Sequence, residues 1–184
     1  RRPDIVCLQE TKVSDAGFAD ALGDELTRLG YAWAHHGQGQ WNGVAIISRV
    51  GLDEVASGLR GDPGFPNPAT LEARCVAATC GGVRVHSVYV PNGRTPDDPH
   101  YAYKLRWLDA LGALLADAGP DAVACGDFNI APTDADVFDP AAYVGQTHVT
   151  SPEREALARL SDGLHDVVRD RWPTERVFSY WDYR

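Results

Sequence analysis

Residues 3–10 pass from Pro3 through the apolar run Ile5-Val6-Cys7-Leu8 to Gln9 and Glu10, which reads as a buried strand delivering polar groups at its C-terminal end. Phe18, Leu22, Leu26 and Leu29 then recur at steps of four, four and three. That spacing is one face of a helix, which Ser14 or Asp15 can cap and Gly30 can stop. Strands are expected at 31–36 and 44–49, joined by a polar loop containing Trp41-Asn42-Gly43. Val44-Ala45-Ile46-Ile47 lacks alternation and should be buried on both faces. A Pro/Gly-rich stretch at 58–68 reads as a surface loop. Strands at 71–80 and 83–90 flank Gly81-Gly82, a two-residue hairpin signal. After a loop at 91–99, residues 100–118 place Leu105, Leu108, Leu111, Leu114 and Leu115 on one side of a helix. A buried strand from Ala122 to Cys125 runs into Gly126-Asp127-Phe128-Asn129, and Ser151-Pro152 opens a helix that continues to about Leu160. Strands mixed with helices, one clear hairpin and no internal repeat favour an α/β (α+β) arrangement of sheets covered by helices, in one domain over residues 1–184.

Apolar residues make up 44% and charged residues 23% of the chain, ordinary for a globular protein. No apolar run approaches the roughly 18 residues that a membrane helix needs. The sequence lacks Met, opens almost at once on an apolar run and closes on an aromatic cluster. An internal fragment is therefore the expectation. Seventeen basic against 26 acidic residues give a net charge of −9, which on its own favours a small substrate over a nucleic acid. Carboxylates that bind a cation are neutralised by it, however, and only one face of a DNA-binding protein has to be basic. Cys7, Cys75, Cys80 and Cys125 form no C-x-x-C pair, so free thiols in a reducing cytoplasm are expected.

Polar residues cluster at three strand ends. Glu10 follows Leu8-Gln9 and could hold a hard cation by oxygen, although a lone Glu reads first as a solvated strand end. Tyr89 enters the rigid turn Pro91-Asn92-Gly93-Arg94, where a guanidinium could bind phosphate or the turn could be merely a turn. Asp127 and Asn129 stand two apart, so an extended backbone would aim both at one volume. There the acid could serve as a general base and the amide as a hydrogen-bond donor to phosphate. Together these groups would suit metal-assisted phosphodiester hydrolysis.

The ordered series LQETK, GVAIIS, VYVPNGR, GDFNIAPTD, SPERE and FSYWDYR resembles exonuclease III, the abasic-site endonuclease branch of the endonuclease/exonuclease/phosphatase superfamily. The resemblance covers essentially the whole chain. It implies a four-layer α/β/β/α sandwich of the DNase I-like kind, incomplete at both ends. It also implies a divalent ion at Glu10, normally magnesium with manganese as the alternative. Asp127 would activate water, Asn129 would hold the scissile phosphate, and Tyr89 would contact it. Asn92 and Arg94 would touch DNA, and Tyr180 and Trp181 would border the pocket for a flipped-out abasic sugar, unless they are simply core. The implied substrate is double-stranded DNA with abasic sites or 3′ ends, and a monomer is the default expectation. An Asn of the family's first strand, a later Asp and a terminal Ser-Asp-His do not occur here, so the 184 residues alone are expected to be inactive or very weak. None of the six histidines occupies that last motif, and His148 is expected in a connecting loop. Two other readings stay open: a superfamily phosphatase acting on small or lipid phosphates, and an inactive DNA-binding remnant.

Overall fold

The computed structural model describes residues 2–66 and 69–180. In chain order its elements are β1 (Ile5–Gln9), α1 (Asp15–Phe18), α2 (Asp24–Arg28), β2 (Ala32–His36), β3 (Val44–Ser48), β4 (Asp53–Ser57), β5 (Phe65–Pro66) and β6 (Ala69–Thr70). They continue with β7 (Cys75–Cys80), β8 (Val83–Tyr89), α3 (Pro99–Ala116), β9 (Ala122–Asp127), α4 (Ser151–Leu160) and α5 (Val167–Arg171). One sheet is antiparallel in the order β1-β3-β2. The other runs β4-β7-β8-β9, antiparallel except for the parallel pair β8/β9, which α3 connects. Among the described residues no helix is long and apolar enough to cross a membrane.

Strand alternation sorts the side chains into three apolar seams. Val44 and Ile46 of β3 meet Val76, Ala78, Cys80 and Val85 of the other sheet. Their neighbours Ala45 and Ile47 point the opposite way, onto Phe18 and Leu26. Val88 and Cys75 face away from the inter-sheet seam onto Tyr103, Trp107, Leu108 and Leu111 of α3 and Leu160 of α4. Helix, sheet, sheet and helix therefore stack in four layers, as the resemblance implies, and the apolar run at 44–47 is buried on both faces. Cys7 and Cys125 meet in the middle seam with Sγ atoms 3.3 Å apart, and all four cysteines are free thiols.

Several expectations change. The first helix is not one α-helix, because Ala19–Gly23 form a π turn between α1 and α2. The inserted residue rotates the remainder of the helix by about 100°. Buried Phe18 is therefore succeeded on the inner face by Gly23 under the Trp33 ring, while Leu22 and Leu29 stand 40% and 45% exposed. The loop at 58–68 contributes Phe65–Pro66 to a two-stranded ribbon with Ala69–Thr70. The strand expected from residue 71 begins only at Cys75. Thr150, not Ser151, caps α4, in a capping box with Glu153. Strand β4 and helix α5 carry no clear sequence signal, and every residue of β4 is exposed.

Candidate active site

Three strands end at one rim. Parallel pairing sets Tyr89 of β8 beside Asp127 of β9, with Val88 beside Gly126. Only glycine fits at 126, since its φ is 147° and an added Cβ would lie 2.0 Å from the Val88 carbonyl oxygen. Strand β1 of the other sheet is tied across the seam by Gln9, which donates to Ser87 Oγ at 3.1 Å, and by Ser87 Oγ, which donates to the Leu8 carbonyl at 3.3 Å. Glu10 is thereby brought to the same rim, where it accepts a hydrogen bond from the Tyr89 hydroxyl at 2.9 Å.

Asp127 and Asn129 do converge, but by a turn rather than by an extended backbone. The strand stops at Asp127, and Asn129 adopts φ 50°. Its backbone N–H donates to Asp127 Oδ1 at 2.8 Å, and its amide nitrogen to Asp127 Oδ2 at 3.2 Å. The second amide hydrogen goes to the Val90 carbonyl at 2.9 Å. Of the seven described non-glycine residues with positive φ, Glu10, Lys12, Arg94, Asn129 and His148 belong to this rim. Such backbones cost roughly 1–2 kcal/mol each, and strain of this kind gathers where geometry serves chemistry.

Electrostatics separate the two carboxylates. The Lys12 ammonium, 2.6 Å from Glu10 and outweighing partial burial, holds that carboxyl below its ordinary range with help from Tyr89. Burial pushes Asp127 up, despite the Asn129 N–H, and the Glu10 charge adds to the rise. Burial, reinforced by Glu10, also raises the Tyr89 phenol, so it stays protonated as a donor. The two carboxylates of the rim are thus shifted in opposite directions.

A second tier of residues escaped the sequence reading. Arg74, 6% exposed, donates to Glu72 at 2.7 Å and to the Tyr89 carbonyl at 3.3 Å, and its guanidinium lies 4.7 Å from the Tyr89 ring centroid. Fully buried Lys104 donates from Nζ to Glu153 at 2.5 Å, to the Asn129 carbonyl at 2.6 Å and to the Asn92 carbonyl at 3.2 Å. Burial opposes the Glu153 charge, but Lys104 and the Thr147 hydroxyl outweigh it and hold the carboxyl below its usual range. Lys104 lies four, seven and eleven residues before Leu108, Leu111 and Leu115, so a cation on an apolar stripe was the available signal. His148 is not a plain loop residue. It is 7% exposed, and its ring nitrogens reach the Asn129 carbonyl at 2.7 Å and the Asn92 amide at 3.4 Å.

The expected DNA-contact residues are placed unevenly. Asn92 is exposed, but its amide is committed inward to Asn129 Oδ1 at 3.2 Å and its own oxygen accepts from the Arg94 N–H at 3.0 Å. The Arg94 side chain is 61% exposed and makes a 3.7 Å ion pair with Asp98. Tyr180 is half-buried, its ring 4.9 Å from the His148 ring and 5.7 Å from Tyr143. Trp181 lies outside the described residues.

Comparison with known proteins places this arrangement. Exodeoxyribonuclease of Bacillus subtilis is 29% identical over 185 residues, covering 98% of this chain and 69% of that protein. The structure of an AP endonuclease from Archaeoglobus fulgidus matches 99% of the chain and 69% of its own, at TM-score 0.88 and 34% identity. A 3′ phosphatase of Neisseria, NExo, solved with a product DNA hairpin, matches the whole chain and 70% of its own, at TM-score 0.87 and 37% identity. Residues 1–184 match the endonuclease/exonuclease/phosphatase family end to end, and this chain belongs to that family.

Proposed function

We propose that the chain carries the catalytic rim of a DNA-repair phosphodiesterase, one that cuts 5′ to abasic sites and trims 3′ ends of duplex DNA. The observation that carries this reading is the convergence of Glu10, Tyr89, Asp127 and Asn129 from two sheets, with the two carboxylates shifted in opposite directions. The names of the relatives above, an exodeoxyribonuclease, an AP endonuclease and a 3′ phosphatase solved with a DNA hairpin, support the substrate class. The exposed guanidinium of Arg94 suits a backbone phosphate, and the Tyr180 ring suits the wall of a sugar pocket.

In this reading Asp127 takes a proton from the attacking water, its carboxylate aimed by the two Asn129 donors. Both Asn129 amide hydrogens are engaged, so the amide orients the base directly and reaches phosphate only by exchanging one of those bonds. The protonated Tyr89 hydroxyl can turn from Glu10 to a phosphoryl oxygen as charge builds there. Among the described residues no group of three or more His, Cys, Asp or Glu forms a ready metal cluster. The Glu10 carboxylate, 41% exposed, fits instead a hard cation of the magnesium type, which accepts one or two carboxylates and keeps water and phosphate oxygens for the rest. Such an ion would neutralise phosphate charge and ease departure of the 3′-oxygen. The free thiols fit a cytoplasmic setting.

The test is nicking of a duplex with one abasic-site analogue by the complete gene product, with magnesium and with chelator. Magnesium-dependent incision that disappears in Asp127→Ala is the expected result. A folded protein that leaves this duplex intact but hydrolyses soluble phosphate monoesters would replace the proposal with a small-phosphate hydrolase.

A further inference from the structure

His148 occupies an expensive backbone position for a side chain that no catalytic role has claimed. Its φ is 81°, its carbonyl accepts from the Ala131 N–H at 2.8 Å, and its ring is buried between Asn129, Asn92 and Tyr180. Two of the polar atoms around it argue for one tautomer. The Asn129 carbonyl can only accept, so Nδ1 carries the proton. The Asn92 amide nitrogen can only donate, so Nε2 is the unprotonated acceptor. Asn92 then keeps its other amide hydrogen for Asn129 Oδ1 and its oxygen for the Arg94 N–H. Asn129, with Oδ1 so satisfied, has its amide hydrogens left for Asp127 and Val90.

We infer that His148 is a positioning residue, which fixes the direction of both carboxamides and through them the Asp127 carboxylate, while its ring backs the Tyr180 wall. This inference rests on the proposed phosphodiesterase reading. Without an acceptor at the Nε2 position, only the Arg94 N–H still holds the Asn92 amide from that side, and a half-turn that breaks this bond presents oxygen to Asn129 Oδ1. Two acceptors would then face each other, and Asn129 would lose its reason to aim at Asp127. His148→Gln can restore the pattern, since a glutamine amide supplies both a donor and an acceptor at the end of a similar reach. His148→Leu supplies neither.

The experiment has two arms in the complete gene product. In the first, nitrogen-detected NMR of the histidine ring should find Nδ1 protonated and Nε2 bare near neutral pH. The Asn92 and Asn129 side-chain amide signals should shift in His148→Leu and return towards their original positions in His148→Gln. In the second, His148→Leu should lower kcat on the abasic duplex about tenfold, the effect of one hydrogen bond withdrawn from the reacting array, with KM changed less than about twofold. His148→Gln should recover kcat to within about threefold of the parent. A parent ring protonated at Nε2, a leucine variant with parental kcat, or a glutamine variant no better than the leucine one would each overturn the inference. If the parent protein does not nick at all, the proposed function fails, and the NMR arm still decides whether His148 orders the two amides.

Discussion

Lys104→Met is the most direct probe of what holds the rim together. Lys104 and Glu153 have no exposed side-chain surface, and their charges are 2.5 Å apart. Replacing the ammonium by a similar apolar volume leaves Glu153 buried without a counter-charge, which costs on the order of 3–5 kcal/mol. The Asn129 carbonyl keeps the His148 ring at 2.7 Å, and the Asn92 carbonyl keeps the Thr147 hydroxyl, 3.3 Å away and shared with Glu153. The loss should therefore come from the stranded carboxylate and not from the carbonyls. Two consequences separate these causes. The double variant Lys104→Met/Glu153→Gln should regain most of the lost stability, since the glutamine oxygen still accepts from the Thr150 N–H and hydroxyl and its amide nitrogen can donate to the Thr147 hydroxyl oxygen. In the single variant the Glu153 carboxyl moves above its unfolded value, so its contribution is most favourable below that value and is lost as pH rises. The deficit against the parent should accordingly shrink between pH 7 and pH 4.5. Urea unfolding followed by circular dichroism measures both. A deficit below about 1 kcal/mol at pH 7, a double variant no more stable than the single, or a deficit that grows on acidification would refute the reasoning.

Other expectations are simpler to state. Neither ring nitrogen of His86 has a hydrogen-bond partner among the described residues, and burial depresses its pKa to about 4. The unfolded chain thus binds a proton between its own pKa and 4 that the folded chain refuses, so this residue erodes stability as pH falls, by roughly 3 kcal/mol in total. His86→Leu should stabilise the protein by about 1 kcal/mol or more at pH 7 and flatten that acid slope; a destabilised variant in thermal melts at pH 7 and pH 5 would contradict this. Gly126→Ala should cost at least about 3 kcal/mol, because the new Cβ meets the Val88 carbonyl oxygen at 2.0 Å in a backbone conformation that disfavours it. Chemical denaturation would find it, and near-parental stability would mean that β8 and β9 can separate locally without harm.

Much of the fold was legible where one physical force dominates. The run at 44–47 has no polar position to place in water, so burial on both faces follows from composition alone. Gly81 and Gly82 both take positive φ, 58° and 86°, and close the β7–β8 hairpin where the pattern put it. The π turn was not legible, because Phe18, Leu22, Leu26 and Leu29 satisfy an unbroken α-helix equally well, and the packing of Gly23 under Trp33 decides otherwise. Strand β4 is wholly exposed and exists through pairing with β7, a long-range term that leaves no periodicity in Asp53–Ser57. The site divides in the same way. Glu10, Tyr89 and Asp127 announce themselves as polar groups at the ends of apolar strands, whereas Arg74 and His148 reach the rim through contacts 15 to 56 residues away in sequence.

The split of the rim between two sheets has a consequence for how the protein folds. The Tyr89–Glu10 hydrogen bond joins residues 79 apart, and the Cys7–Cys125 contact joins residues 118 apart. Contacts this non-local form late, after local structure has lowered the entropy of closing such loops. Each sheet can in principle acquire its own ladder while the rim does not yet exist. Recovery of secondary structure during refolding should therefore run ahead of recovery of the Glu10–Tyr89–Asp127 arrangement. A fluorescent signal from the rim would time the docking of the sheets, and any mild stress that slides one sheet on the other would take the rim apart before it unfolds the protein.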